Sequence, residues 1–233
     1  MNKSIFIVGT DTDVGKTFVT GLIIKSLRDN GINAGYFKAA LSGAREEGNK
    51  LIPGDAEEVC NVSGIEEEYS NMVSYILKNP YSPHLAARIE NIEVSLDKIK
   101  NDYKNLKEKY ECLVVEGSGG IICPLKIKDD EVILLEDVIK VLNLETILIA
   151  RAELGTINHT TLTVKYLESI GIKVKAIVLN RYNPQNIIHK DNKETIKVLT
   201  GINNFFEIPF VDEENQIVDN YFNFNLLINI INK

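Results

Sequence analysis

Lys16 and Thr17, reached from Gly9 through Thr10, Asp11, Thr12, Asp13, Val14 and Gly15, are the residues whose types and spacing point most directly to chemistry. A loop between an apolar run and a helix turns backbone N–H groups and the helix N-terminus toward an anion. Lysine placed there reaches the β- and γ-phosphates of a nucleotide, and the neighbouring hydroxyl can ligate Mg2+. The spacing departs from the general phosphate-loop pattern: five residues separate Gly9 from Gly15, and Thr10 holds the usual first-glycine position. An ordinary strand-turn-helix junction would explain a glycine, but not the lysine and threonine with it. Nucleotide binding is the reading.

Two carboxylates and a second lysine can complete such a site. Glu116 follows the apolar run Cys112 to Val115 and precedes Gly117, Ser118, Gly119 and Gly120, which predicts a carboxylate at the tip of a central strand. Ligands of open α/β sheets bind at that end of the strands, so a Mg2+ role is favoured over a surface glutamate. Asp55, in Pro53-Gly54-Asp55-Ala56, fits a helix N-cap or a metal ligand equally well. Lys38 closes the run Ala34 to Phe37, where a cation can stabilise charge developing in phosphoryl transfer. Ser42 fits either a substrate hydrogen bond or a turn. His84, His159 and His189 pair with no nucleophile in the sequence and receive no catalytic role.

These residues need a scaffold, and the hydropathy pattern supplies one. Apolar runs at Ile5 to Val8, Ala34 to Phe37, Cys112 to Val115, Thr146 to Ala150 and Ala176 to Leu179, with a weaker one at Phe205 to Ile208, are nearly continuous. That is how strands read when helices cover both faces. Helices are predicted over Thr17 to Asp29, from Ser82-Pro83, over Leu96 to Tyr110, Leu134 to Asn143 and Thr156 to Ile170, and near the end over Tyr221 to Ile231. The alternation implies a three-layer α/β sandwich with a mostly parallel sheet. The 233 residues show no repeat or linker and are read as one domain, 1–233.

Composition narrows the function classes. The formal charge of −7 opposes a nucleic-acid binder, which needs a basic field. Cys60, Cys112 and Cys123 form no CxxC pair and have no histidine at zinc-ligand spacing. The first apolar run is too short for a signal sequence or a membrane span, so a cytoplasmic protein without a membrane partner is expected.

Taken together, the segments resemble the dethiobiotin synthetase family. They are GTDTDVGKT at 9–17, GYFKAALSG at 35–43, Gly54-Asp55-Ala56, SPH at 82–84, VVEGSGG at 114–120, LGTINHTTLT at 154–163, Val178-Leu179-Asn180 and EIPF at 207–210. They run in order along nearly the whole chain, and the wider loop spacing is the family's own version. The resemblance implies a P-loop NTPase fold and a defined reaction. One amine of 7,8-diaminopelargonic acid takes up carbon dioxide as a carbamate, ATP phosphorylates it, and the second amine closes the ureido ring of dethiobiotin, releasing phosphate.

The resemblance also implies roles. Asp13, Val14, Gly15, Lys16, Thr17 and Phe18 would hold the triphosphate, with Gly117, Ser118 and Gly119 near it. Thr17, Asp55 and Glu116 would hold Mg2+, and Lys16 and Lys38 would act on the γ-phosphate and the carbamate. Asn180 would read the adenine, helped by the backbone around Pro209, Phe210 and Val211. Thr12 and Ser42 would contact the substrate. Gly155, Thr156, Ile157 and Asn158 of a partner subunit would receive its carboxylate at a helix start, which implies a homodimer. Where some members place a carboxylate-binding tyrosine, ungapped matching puts Asn192, in a polar run from His189 to Lys193 read as a variable loop.

Three rivals fit less well. A partition or septum-positioning ATPase needs an extra lysine early in the loop, where this chain has Thr10, Asp11 and Thr12. A cobyrinate-type amidating ligase needs a glutaminase domain for which 233 residues leave no room. A small-molecule kinase needs an arginine-rich lid, and Arg28, Arg45, Arg88, Arg151 and Arg181 are scattered.

Overall fold

In a computed structural model of the chain, which describes residues 3–211 and 221–232, the apolar runs become the inner strands of a single parallel sheet. The strands are β1 (Lys3–Gly9), β2 (Ala34–Ser42), β5 (Val73–Leu77), β6 (Cys112–Gly120), β9 (Thr146–Arg151), β10 (Val174–Asn180) and β11 (Phe205–Ile208). Their spatial order is β11-β10-β9-β1-β6-β2-β5, and every pairing in this sheet is parallel. All seven residues of β10, and Ile5 to Gly9 of β1, are buried, because helices cover both faces. Burial on both faces selects mostly apolar residues, so the expected continuous runs and the three-layer fold agree with what is seen, and the few buried polar residues, such as Lys38, Glu116 and Asn180, stand out.

Helices α1 (Lys16–Asp29), α5 (Leu96–Lys107), α6 (Leu135–Leu142) and α7 (Thr156–Ser169) start and stop within three residues of the expected limits. Local chemistry accounts for this. Helix α1 ends at Asn30 with Gly31 at φ 82°, and α7 ends before Gly171 at φ 79°. Helix α4 (Pro83–Ile89) begins with proline at its first position, as expected, although the Ser82 side chain makes no cap hydrogen bond. The last helix, α9 (Phe224–Asn232), packs on β1 and α1. Part of the Asn-rich stretch expected to precede it, 215–220, lies outside the described residues.

Four features differ from expectation. Strand β5, at one edge of the sheet, alternates buried and half-buried residues and includes Ser74, so it has no continuous apolar run. Two small antiparallel hairpins, β3 (Arg45–Glu47) with β4 (Lys50–Ile52) and β7 (Pro124–Lys128) with β8 (Glu131–Leu134), lie apart from the main sheet. Between β4 and β5, the helix expected beside Asp55 is present as α2 (Gly54–Ser63), and a short α3 (Tyr69–Met72) that was not expected follows it. Most informative is α8 (Ile187–Thr200), which replaces the expected variable loop. Its inward face is His189, Asn192, Ile196 and Thr200, mostly polar, so no apolar periodicity marked it. Its start is set by Asn186, whose side chain accepts a hydrogen bond from the Ile188 N–H.

Candidate active site

Strand β1 delivers the chain to Gly9 at the carboxyl edge of the sheet, and the loop to Lys16 turns back into α1. The turn is made at Gly15, which caps α1 in the left-handed region at φ 92°. A Cβ there would lie 2.1 Å from Asn180 Nδ2, so backbone conformation and space both demand glycine. Asn180, at the end of β10, donates from Nδ2 to the Val14 carbonyl at 2.9 Å and accepts at Oδ1 from the Arg181 N–H at 3.0 Å. Arg151, at the end of β9, donates from Nε and Nη2 to the Asp13 carbonyl at 3.1 and 2.6 Å. Asp13 itself has φ 56°. The loop is thus tied from two strands that lie far along the chain.

Lys16 folds over Gly9, whose absent side chain leaves the room: a Cβ would stand 2.9 Å from Nζ. Its ammonium donates to the Asp11 carbonyl at 2.7 Å, across the mouth of the loop. Burial and the nearby Lys38 charge hold its pKa below the usual lysine value, partly opposed by Glu116, Asp55 and Asp13.

Beside the loop stands a buried charge cluster. Lys38 and Glu116 are register partners on the adjacent parallel strands β2 and β6, so both side chains leave the same face of the sheet. Lys38 Nζ lies 2.6 Å from Glu116 Oε1 and 2.6 Å from Asp55 Oδ2. It also donates to the Gly117 carbonyl at 3.4 Å. Thr17 Oγ1 donates to Glu116 Oε1 at 3.0 Å, and the Tyr36 hydroxyl donates to Oε2 at 3.1 Å. Burial alone would lower the Lys38 pKa, but Glu116 and Asp55 outweigh it and hold the ammonium well above the usual range. Burial and the same carboxylates push the Tyr36 hydroxyl far up, so it stays a donor.

Lys38 and Glu116 are not at strand tips as expected. β2 runs on to Ser42 and β6 to Gly120, and both residues sit mid-strand, 3% and 0% exposed. A surface role is excluded for either. Asp55 is in the first turn of α2, not at its N-cap, which is Pro53, so its carboxylate is free to reach Lys38.

A cavity of about 680 Å3 opens over this cluster. Thr12, Asp13, Gly15, Lys16, Thr17 and Phe18 line one wall. Lys38, Ser42 and Asp55 line another, with Glu116, Ser118 and Gly119 between. Other expected site residues stand elsewhere. Val14 is buried within the loop, and Ser118, although in the cavity lining, has its hydroxyl committed to the Ala40 carbonyl at 2.6 Å. Pro209, Phe210 and Val211 follow β11, and the exposed Phe210 ring lies under the Arg181 guanidinium at 5.5 Å. Gly155, Thr156, Ile157 and Asn158 form the start of α7. Thr156 lines a second hollow of about 370 Å3, which also borders residues 10–14. Asn192 is 4% exposed and donates to the Ala152 and Glu153 carbonyls, which pins α8 to the loop before α7.

The sequence reading missed Tyr36, Arg151 and Arg181, the last of which also lines the main cavity. Tyr36 had a findable signal, because it precedes Lys38 by two residues on a strand and so shares its face. The two arginines had none, since their positions follow from strand order. No cluster of three or more metal-ligating His, Cys, Asp or Glu side chains occurs among the described residues.

A parallel sheet with a glycine-turned loop at its carboxyl edge, a lysine and threonine opening the next helix, and carboxylates facing them defines a P-loop nucleotide-binding α/β protein. The AAA domain family model matches residues 3–217. The ATP-dependent dethiobiotin synthetase BioD of Clostridium perfringens (strain 13 / Type A) is 54% identical over 213 residues, covering 91% of this chain and 93% of that protein. That of Clostridium novyi is 53% identical over 215 residues, covering 92% and 90%. The chain belongs to the ATP-dependent dethiobiotin synthetase family. The MinC:MinD cell division protein complex of Aquifex aeolicus superposes with a TM-score of 0.57, covering 99% of this chain and 94% of that one. At 13% identity this likeness concerns the fold alone, and the septum-positioning reading gains nothing from it.

Proposed function

We propose that the cavity over Lys38 is where this chain performs the family's reaction, the ATP-dependent carboxylation and ring closure of 7,8-diaminopelargonic acid to dethiobiotin in biotin synthesis. The observation that carries the site assignment is the Lys38 ammonium, 2.6 Å from both Asp55 and Glu116, in one cavity with Lys16, Thr17 and Ser42. Such a site can align a carbamate with a γ-phosphate and neutralise the charge passing between them, which is most of what phosphoryl transfer asks of a protein. The carbamate oxygen attacks the γ-phosphorus, ADP leaves, and the second amine then attacks the carbamate carbon and expels phosphate.

Within that scheme the loop N–H groups from Asp13 to Phe18 cradle the phosphates, and Gly117 to Gly119 let the chain pass close by. Lys16 leaves the Asp11 carbonyl for the γ-phosphate. Lys38, kept protonated by its two carboxylates, turns toward the carbamate and the transferring phosphoryl group. Ser42 and Thr12 orient the diamine. Asn180 has one N–H left after the Val14 bond. Together with a lone pair on Oδ1 it matches the edge of adenine, and the segment Pro209 to Val211 closes that side.

Thr17, Asp55 and Glu116 fit Mg2+: they are hard oxygen donors, too few to enclose a cation, and Mg2+ keeps waters and phosphate oxygens in its shell. Two of them, Asp55 and Glu116, already converge on one cation, the Lys38 ammonium, and Thr17 donates to the same Glu116 oxygen. When bound, the metal would neutralise charge on the β- and γ-oxygens.

The same reading has the reaction run in the cytoplasm. No helix among the described residues is long and apolar enough to cross a membrane. The acting unit is a homodimer. Supporting this, the α7 start carrying Gly155 to Asn158 lies outside the main cavity of its own chain, and Leu154 and Leu162 beside it are 89% and 62% exposed. A partner's helix N-terminus would bring a favourable field to the substrate carboxylate. Lys38→Ala and Asn158→Asp subunits, each impaired alone, are expected to regain about a quarter of wild-type activity when mixed and allowed to exchange, because half the dimers then hold one intact site. No recovery despite measured exchange would place the carboxylate site within one chain.

The overall reading is tested by mass-detected product formation from diaminopelargonic acid, bicarbonate, Mg2+ and ATP. Dethiobiotin is expected with one phosphate released per ring closed. Nucleotide binding without product would refute it.

A further inference from the structure

We propose that Tyr36 is a positioning residue that selects the size of the cation at this site, an inference that rests on Glu116 being a metal ligand. Tyr36 and Lys38 stand two residues apart on β2 and share a face, and Lys38 is the register partner of Glu116. Tyr36 and Glu116 are both 0% exposed. The two carboxylate oxygens are therefore held apart in role. Oε1 receives Thr17 at 3.0 Å and Lys38 at 2.6 Å, whereas Oε2 receives the Tyr36 hydroxyl at 3.1 Å.

A cation taking the place of the ammonium meets Oε1, while Oε2 is engaged by the fully buried Tyr36 hydroxyl. One-oxygen coordination suits a small ion with a strict six-ligand shell. Ca2+ accepts six to eight oxygens at longer distance and commonly takes both oxygens of a carboxylate. By denying Oε2, Tyr36 withholds the arrangement that would favour the larger ion. The hydroxyl also keeps Glu116 oriented once Lys38 has turned away, when two of its present contacts are changing.

The experiment uses the full chain with the nonhydrolysable β,γ-imido analogue of ATP and Mn2+, a small octahedral ion read by its paramagnetic resonance. Ca2+ is added as competitor. In the wild type a large excess of Ca2+ should be needed to displace Mn2+. In Tyr36→Phe that excess should fall about ten-fold, as the freed oxygen becomes available to the larger ion. Installing 4-aminophenylalanine at position 36, which restores a donor on the same ring, should return the wild-type ratio. An unchanged ratio in Tyr36→Phe, or an amino variant that behaves like phenylalanine, overturns the inference. Melting curves check each variant; if Tyr36→Phe does not fold, Tyr36→Met carries the same comparison. Glu116→Gln separates the two levels. If it leaves Mn2+ affinity intact, the metal reading itself fails; if it weakens Mn2+ while Tyr36→Phe changes nothing, only the role of Tyr36 falls.

Discussion

Lys38→Ala is expected to lower kcat for dethiobiotin formation by about a thousand-fold, with nucleotide binding reduced far less. The size follows from what one preorganised donor at a developing charge contributes, roughly 3–4 kcal/mol of transition-state stabilisation. Here the donor is a full ammonium, 3% exposed and held above the usual lysine pKa, so it is charged at any working pH. The substitution also leaves Asp55 and Glu116 without their shared counter-ion. Removing one member of a buried ion pair costs on the order of 3–5 kcal/mol, and the melting temperature should drop as well. On the proposed reading a metal-nucleotide complex would supply positive charge at the same place, so much of that drop should be recovered on adding Mg2+ and the imido analogue of ATP. Measuring turnover under those stabilising conditions separates lost chemistry from lost fold. Full turnover in Lys38→Ala would remove it from the mechanism.

Gly15→Ala should be nearly as damaging, by a different route. Alanine at φ 92° is disfavoured by about 1–2 kcal/mol, and its Cβ would stand 2.1 Å from Asn180 Nδ2. Asn180 cannot yield cheaply. Its amide is bonded to the Val14 carbonyl on one side and to the Arg181 N–H on the other. The loop must move instead, and with it the N–H groups aimed at the phosphates. Losing a hydrogen bond to a charged phosphate costs roughly 1.5–3 kcal/mol, which is about ten- to a hundred-fold in affinity. Calorimetric titration with the imido analogue should show that loss in affinity, whereas Gly31→Ala, at a helix end away from the cavity, should leave affinity unchanged. An unaltered affinity in Gly15→Ala would mean that the loop does not grip the phosphates in the way argued.

The phosphate loop and its helix were legible because everything that makes them is contiguous. An apolar strand, a glycine at the turn, and Lys16-Thr17 at the helix start occupy adjacent positions. The same holds for the inner strands, whose burial on both faces writes itself as unbroken apolar runs. Strand β5 and helix α8 were not legible for a related reason. At its edge of the sheet β5 alternates buried and half-buried residues and includes Ser74, and α8 turns His189, Asn192 and Thr200 inward, so neither carries the hydrophobic signature of its class.

Lys38, Asp55 and Glu116 can be singled out as residues, yet Lys38 and Glu116 lie mid-strand rather than at strand tips, and Asp55 lies inside the first turn of α2 rather than at its N-cap. The apolar runs stop at Lys38 and Glu116, but a strand can continue past a charge that finds a buried partner. Glu116 has three such partners, from Thr17, Tyr36 and Lys38, and β6 goes on for four more residues.

By itself, then, the sequence determines that a phosphate loop opens α1, that parallel strands lie between helices, and which few charged residues face the ligand edge. Those are consequences of nearest-neighbour chemistry and of hydrophobic period. Only the tertiary structure decides that β6 lies between β1 and β2, which sets Lys38 beside Glu116 and brings the Tyr36 hydroxyl to its far oxygen. It likewise decides that β9 and β10 bring Arg151 and Asn180 to the back of the loop. Strand order and register are settled by packing over the whole sheet, between residues as many as 166 positions apart, and no local pattern records them.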